Sequence, residues 1–500
     1  MELVDNLALG FALALKPINL AYCFVGVFIG TLIGVLPGIG PVAAMSLLLP
    51  VTFNIAPEAA IIMLAGIYYG SMYGGSTTAI LVNIPGEAAS VVTCLDGYQM
   101  ARQGRAGPAL GISAFASFIA GTLAVVTLSL VAPTLARLAV KFGPVEYFSL
   151  MILGLAILVY LSHGSLLKAL AMACLGLVLG LVGIDSINAM PRMTFDRLEL
   201  LDGVGLVPMV MGLFGIAEIL SNLERTVKRE VFQTRLGTLL PSRDDWKASA
   251  APIARGSTLG FLLGILPGGG AVLSSFLAYA LEKRVAKEPE RFGKGAIEGV
   301  AGPEAANNAA AGGGFIPLLT LGIPPNVVMA LLLGAFVVHG LQPGPLLLTQ
   351  KPEFFWGIVA SMYIGNVMLL ILNLPLIGMW VQVLRVPYAI LFPLILLFCM
   401  VGVYSVSNAI FDVYLMIGFG VIGYMMKRFG YEPAPLVLAY VLGALLENNL
   451  RKSLILSRGD FSTFLTRPIS AACLVLAAAL LLSPLIPWLR QRRKRVALEQ

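Results

Sequence analysis

Residues Gly302–Gly314 read GPEAANNAAAGGG. An acid, Glu304, and two adjacent amides, Asn307 and Asn308, stand there among small side chains. At membrane depth such groups are costly without partners, and an intramembrane acid marks a functional position by default. The asparagine carbonyls, with backbone carbonyls, can coordinate Na⁺; their amides can instead hold a carboxylate. Glu304 can carry a coupling proton or, more plainly, sit at the membrane interface. A second segment, Gly74–Asn83, reads GGSTTAILVN. Ser76, Thr77 and Thr78 offer hydroxyls beside a glycine pair, suited to carboxylate oxygens, and Asn83 closes the run. The plainer alternative is that these hydroxyls bond back to carbonyls of their own helix.

Two Pro-Gly turns, Pro37-Gly38-Ile39-Gly40 and Pro267-Gly268-Gly269-Gly270, flank these segments. Proline removes a backbone donor and glycine permits unusual dihedrals, so a helix stops there. Freed N–H and C=O groups are costly in hydrocarbon unless they are buried in protein or line a wet cavity. Broken helices meet that cost by handing the groups to a substrate or ion, and helix N-termini favour anions. Gly38, Gly40, Gly268, Gly270, Gly313 and Gly314 therefore join the hydroxyl segment as substrate-binding candidates. Pro37, Pro85, Pro267 and Pro324 are the helix breakers. The alternative is close helix crossing over small residues. Between Gly295 and Gln350 there is no Lys or Arg, only His339. An anion there has no sequence-local guanidinium, so helix ends, hydroxyls, amides and a co-transported cation must compensate it unless distant arginines fold in. His339 reads as a cap or packing group beside Gly340 rather than a proton relay.

The elements that carry these residues follow from composition. Of 500 residues, 58% are hydrophobic and 12% charged, with a mean hydropathy of +0.90. Soluble domains carry roughly 25% charged residues, so a bilayer is the fitting solvent. Apolar runs recur at the length a membrane helix needs, and about ten to twelve crossings are expected. Strand-like alternation is absent, which points to helices rather than a barrel. The five cysteines are scattered without CxxC pairing and read as small apolar side chains. Glu2 and Asp5 ahead of the first apolar run argue against a signal peptide. The net charge of +7 sits in short loops and in Arg490–Arg495, which places the C-terminus in the cytoplasm. Neither HExxH nor GxSxG occurs, so an enzyme is not expected.

The chain repeats itself. Gly30–Gly40 reads GTLIGVLPGIG and Gly260–Gly270 reads GFLLGILPGGG. Downstream, Gly74-Gly75 precedes Asn83-Ile84-Pro85, as Gly313-Gly314 precedes Gly322-Ile323-Pro324. Two matched elements in order indicate duplication. The organisation expected is a first transmembrane repeat (1–222), a basic cytoplasmic connector (223–255), a second repeat (256–488) and a basic tail (489–500). Gly256–Glu282, lying between basic loops, is too short to cross twice and is expected to enter and return on one side. The first half lacks any cationic side chain between Lys16 and Arg102, so the repeats are expected to be inverted; the alternative is one continuous, Pro-broken crossing in each half. The fold class is an all-α polytopic membrane protein in two inverted repeats with re-entrant or broken helices.

These residues resemble the large transmembrane subunit of the tripartite tricarboxylate transporter family over nearly the whole chain. The resemblance is carried by GVLPGIGP (Gly34–Pro41), LDGYQMARQGRAGPALG (Leu95–Gly111), GILPGGGAVLSSF (Gly264–Phe276), Phe292–Pro324 and HGLQPGP (His339–Pro345). It implies a secondary transporter of the bacterial inner membrane that imports citrate or a related carboxylate by Na⁺ or H⁺ symport. It also implies a small four-helix membrane subunit and a periplasmic solute-binding protein as partners, and no cofactor. A passive anion pore is the competing reading. One departure stands out: Pro325 and Asn326 follow Ile323-Pro324 where the family has Gly and a small residue, whereas Ile84-Pro85-Gly86 keeps the Gly.

Overall fold

The computed structural model describes residues 2–36, 40–162, 165–185, 187–224, 239–383 and 388–482. It is helical almost throughout; among the described residues the only sheet is a two-residue hairpin, Gly183–Ile184 with Pro191–Arg192. Among the described residues, five helices are long and apolar enough to cross a membrane: Pro17–Val35, Ala106–Ala139, Pro144–Leu161, Pro352–Asn373 and Ile410–Arg428. Shorter apolar helices such as Gly40–Thr52 and Val327–Val338 rise about 1.5 Å per residue and cannot alone span roughly 30 Å of hydrocarbon. They are the pieces that the Pro and Gly breaks leave behind.

Two compact units form. The larger comprises residues 1–137, 205–265 and 269–425, the smaller 138–204, 266–268 and 426–500. They cut across the two sequence halves, and the helix Arg243–Ile265 runs straight through the connector boundary drawn at 255. Residues 225–238 of the basic connector, and everything from 483 including the basic tail, lie outside the described residues.

The larger unit holds the duplicated helices, labelled α1 (Pro17–Val35), α2 (Gly40–Thr52), α3 (Pro57–Val82), α4 (Val91–Arg102), α5 (Arg243–Ile265), α6 (Gly270–Val285), α7 (Glu298–Gly313) and α8 (Val327–Val338). Each half builds the same seam. On α1, Gly26, Gly30 and Gly34 lie against the backbone of Met63, Ile67 and Ser71 of α3. On α5, Gly256, Gly260 and Gly264 lie against Gly302, Ala306 and Ala310 of α7 in identical register. A Cβ at Gly30 would stand 2.6 Å from the Ile67 carbonyl oxygen. Close backbone approach over small residues is how helices gain contact where apolar burial gives no driving force. The register extends through both hinges. Asn83 and Gly322 take left-handed φ of 57° and 71°, each followed by Ile-Pro. Next, Gly86 touches Gly75, and Pro325 at the equivalent position lies against Gly314. The departure at Pro325-Asn326 is thus accommodated: Pro325 fills the space over Gly314, and Asn326 caps α8 by accepting from the Met329 amide at 2.9 Å.

In the smaller unit, Glu146 at the start of Pro144–Leu161 pairs with Arg467 at 3.2 Å. The hairpin is tied to the helix Pro433–Leu456 by alternating charges, Asp185–Arg451 at 2.9 Å and Arg192–Glu447 at 2.8 Å. Backbone N–H groups of Asn188 and Ile187, with Arg451, hold the Asp185 carboxyl well below the usual carboxylate range. Pro267 and Gly268 belong here: Gly268 (φ 77°) packs on Leu158, and Pro267 lies near Gly154. Cys23 and Cys399 are buried, Cys94 and Cys473 half-buried, and Cys174 exposed, so small buried packing describes only some of them.

Candidate functional site

Helix α7 of the larger unit carries a buried acid, Glu304. Alanine and glycine around it let α7 run deep between helices, and the carboxyl is wholly buried. Ser76 of α3 donates to Oε2 at 2.5 Å, Thr93 of α4 donates to Oε1, and Asn307 Nδ2 approaches Oε2 at 3.5 Å. Ser113 places a further buried hydroxyl close to the carboxyl. Asn308 Nδ2 donates to Asn307 Oδ1 at 2.5 Å, to Ser117 Oγ at 2.8 Å and to the Glu304 carbonyl at 3.1 Å. Among the described ion pairs none involves Glu304. The acid is solvated by hydroxyl and amide donors, and the carboxyl oxygens themselves are the acceptors that a proton or a small hard cation would use.

Thr93 is placed by a neighbour one turn along α4. Asp96 is fully buried and accepts from Tyr279 Oη at 2.9 Å and from the amides of Gly293, Gly295 and Ala296 at 2.9, 2.8 and 2.8 Å. Those amides open the segment that leads into α7, so one carboxylate fixes α4 against the approach to Glu304.

Of the residues singled out in the sequence, Glu304, Asn307, Asn308 and Ser76 meet in one cluster. The Asn pair lies inside continuous helix α7, so its backbone carbonyls are engaged rather than free for an ion. Ser76 serves the buried acid, and Thr78 donates to the Val35 carbonyl at the end of α1 at 2.7 Å. Thr77 is buried nearby. Gly313 and Gly314 pack on Phe261 and Pro325, the close-crossing role. Gly40 and Gly270, matched across the repeat, take positive φ of 66° and 43° at the first residues of α2 and α6, and a Cβ on either would meet nothing within 4 Å. Asn83, Pro85 and Pro324 form the hinges, with Asn83 exposed. Pro267 and Gly268 lie in the smaller unit. Pro37 and Gly38 fall outside the described residues. His339 ends α8 as its C-cap, ahead of Gly340 at φ 67°.

Thr93, Ser113 and Asp96 were not foreseen. The available signal was a Thr and an Asp three residues apart at the edge of an apolar stretch, which on a helix puts them one turn apart.

The sequence model of the tripartite tricarboxylate transporter TctA family matches residues 20–438. A protein of Agrobacterium vitis described as an uncharacterized 52.8 kDa protein in the TAR-I ttuC' 3'region is 53% identical over the full length of both chains. Another from the same organism, an uncharacterized protein in the TAR-II ttuC' 3'region, is 56% identical over 240 residues, 48% of this chain and 99% of its own. No solved structure matches.

Proposed function

This chain belongs to the tripartite tricarboxylate transporter TctA family, and on that premise we propose that it is the translocating subunit of a binding-protein-dependent importer of citrate or related di- and tricarboxylates, driven by cation symport. A small four-helix membrane subunit and a periplasmic solute-binding protein complete the assembly in the inner membrane, with the C-terminus cytoplasmic. The observation that carries this reading is Glu304: a buried acid with a hydroxyl and amide shell and no described cationic partner. A chain that carries an anion needs a compensating charge, and a cation taken up at Glu304 supplies it. Asn307 and Asn308 shape that shell. The substrate is assigned to Gly40 and Gly270, where helices α2 and α6 begin in unobstructed space and present N-terminal amides to an anion.

A passive pore would need a charged ring or a carbonyl filter, and a closed acid centre favours coupled transport instead. Reconstitution in proteoliposomes with both partners, an imposed Na⁺ or proton gradient and a panel of carboxylates tests this. Uphill accumulation that collapses with the gradient, and that E304Q reduces at least about tenfold, is expected. Downhill flux indifferent to either gradient would establish the pore.

A further inference from the structure

The two hinges end in matched caps that differ in one respect. Asn326 uses both arms of its side chain: Oδ1 accepts from the Met329 amide at 2.9 Å, and Nδ2 donates to Tyr68 Oη at 3.2 Å. Glu87 holds the equivalent position in the first half. Its Oε2 accepts from the Ala89 amide at 2.7 Å, while its Oε1 is buried with no hydrogen-bond partner.

The repeat register gives the first-half counterpart of the Asn326–Tyr68 contact. Tyr68 is equivalent to Asn307, in the register that pairs Ile67 with Ala306. The Asn326–Tyr68 contact therefore maps onto Glu87 and Asn307, the residue that approaches Glu304 Oε2. Two further contacts agree. Glu87 Cγ lies 2.8 Å from where a Cβ on Gly75 would stand, and the next residue, Ser76, donates to Glu304.

Capping requires no charge at this position, since Asn326 does the same work with an amide. A carboxylate oxygen shut away without a donor is untenable as a bare charge. The ionisable groups around it offer no counter-charge. Tyr68 on α3 and Glu304 on α7 lie within electrostatic reach, and Cys94 on α4 lies near Glu304. Asp96 on α4 is taken by Tyr279 of α6 and three amides, and Glu282 on α6 by Arg255. No Lys or Arg pairs with Glu87 among the described ion pairs.

We propose that Glu87 is a second cation-binding carboxylate beside Glu304, taking a proton or Na⁺ on its free oxygen during transport. This rests on the symport reading of Glu304. Each half of the duplicated chain then contributes one acid to the same centre, and the first-half acid sits directly on a hinge. Occupancy at Glu87 neutralises the cap that follows the Asn83-Ile84-Pro85 turn, which ties cation loading to the element best placed to move.

The purified protein, E87Q and E304Q are melted across a NaCl titration with choline chloride holding ionic strength constant, and across a pH series in choline chloride alone. Gln keeps the cap through its carbonyl oxygen and removes the charge. If Na⁺ is the ligand, E87Q shifts the half-saturating concentration upward roughly tenfold, the loss of one good ligand. If the proton is, E87Q flattens the pH profile. E87Q titrations that superimpose on wild type in both series overturn the assignment, and an altered E304Q in the same experiment leaves the symport reading standing. A wild type indifferent to both cations defeats both. Should E87Q fail to fold, E87D decides: it keeps the acid one methylene short, so shifted titrations support the site and unshifted ones overturn it.

Discussion

Removing Asp96 is the most informative structural perturbation, because one side chain satisfies four donors. Asp96→Ala leaves Tyr279 Oη and the amides of Gly293, Gly295 and Ala296 without their acceptor in a fully buried place. Hydrogen bonds to a charged group net about 1.5 kcal/mol each at the low end, so four give roughly 6 kcal/mol. Water entering the vacated space recovers part of this, and we expect about 4 kcal/mol, in the range of the largest single-residue effects. Asp96→Asn differs sharply. Its amide oxygen can keep the three backbone donors, and its NH₂ can donate to Tyr279, which turns acceptor; about 1–2 kcal/mol is expected. Equilibrium unfolding in micelles gives the ordering. Hydrogen exchange gives the location, because the Gly293, Gly295 and Ala296 amides should lose protection in D96A and largely keep it in D96N. Unchanged protection of these three amides in D96A, or D96N at least as damaging as D96A, would refute the reasoning.

The seams make an opposite pair of expectations for glycine. Gly30→Ala and Gly260→Ala each drive a methyl into partner backbone that cannot yield, at about 3 kcal/mol, whereas Gly418→Ala meets open space and should be neutral or stabilising on its helix; melting temperatures of the three separate these outcomes. Asn326→Ala loses the α8 cap and the Tyr68 contact, about 1–2 kcal/mol, and N326D should keep the cap while losing the donor to Tyr68, so it should fall between. Asp185 supplies a pH expectation. Its folded carboxyl is depressed, so its contribution is complete above the ordinary carboxylate value of about 3.9 and fades as pH falls from there through the folded value. D185N should therefore be less stable than wild type near neutrality and converge with it in acid, and parallel pH profiles for the two proteins would count against that.

The sequence made the helical membrane class plain through composition, and the duplication plain through two Pro-Gly turns and two Ile-Pro hinges. Both halves of that duplication reappear as matched seams, down to which glycine meets which carbonyl. The Glu304 cluster was partly legible, because an acid and two amides among alanines in an apolar chain must find partners in one another or in a ligand. What was not legible was the use of each hydroxyl. Ser76 and Thr78 are two residues apart, yet one solvates an acid from the other half and the other ties down the end of α1. Local sequence cannot distinguish those fates, since the deciding partners come from distant segments. The same holds for Gly74, Gly313 and Gly314, where glycine in an apolar run signals either an open backbone or a close crossing. Here it is the crossing.

The acid centre is asymmetric across the duplication. The position in α3 equivalent to Glu304 is Ala65, buried in the seam region, and the positions equivalent to Asn307 and Asn308 are Tyr68 and Tyr69. The two acids stand at non-equivalent positions, Glu304 mid-helix on α7 and Glu87 at the first hinge. An exchange of the two roles tests whether the arrangement matters. The double variant E87Q/N326E moves the cap acid to the second hinge, where Tyr68 rather than Asn307 faces it. Both caps survive on paper, so the protein should fold with near-normal melting, yet the new acid meets the Tyr68 hydroxyl. Cation-dependent stabilisation should match that of E87Q alone. Full recovery of the wild-type titration would show that any hinge carboxylate suffices, and that the asymmetry between the halves carries no function.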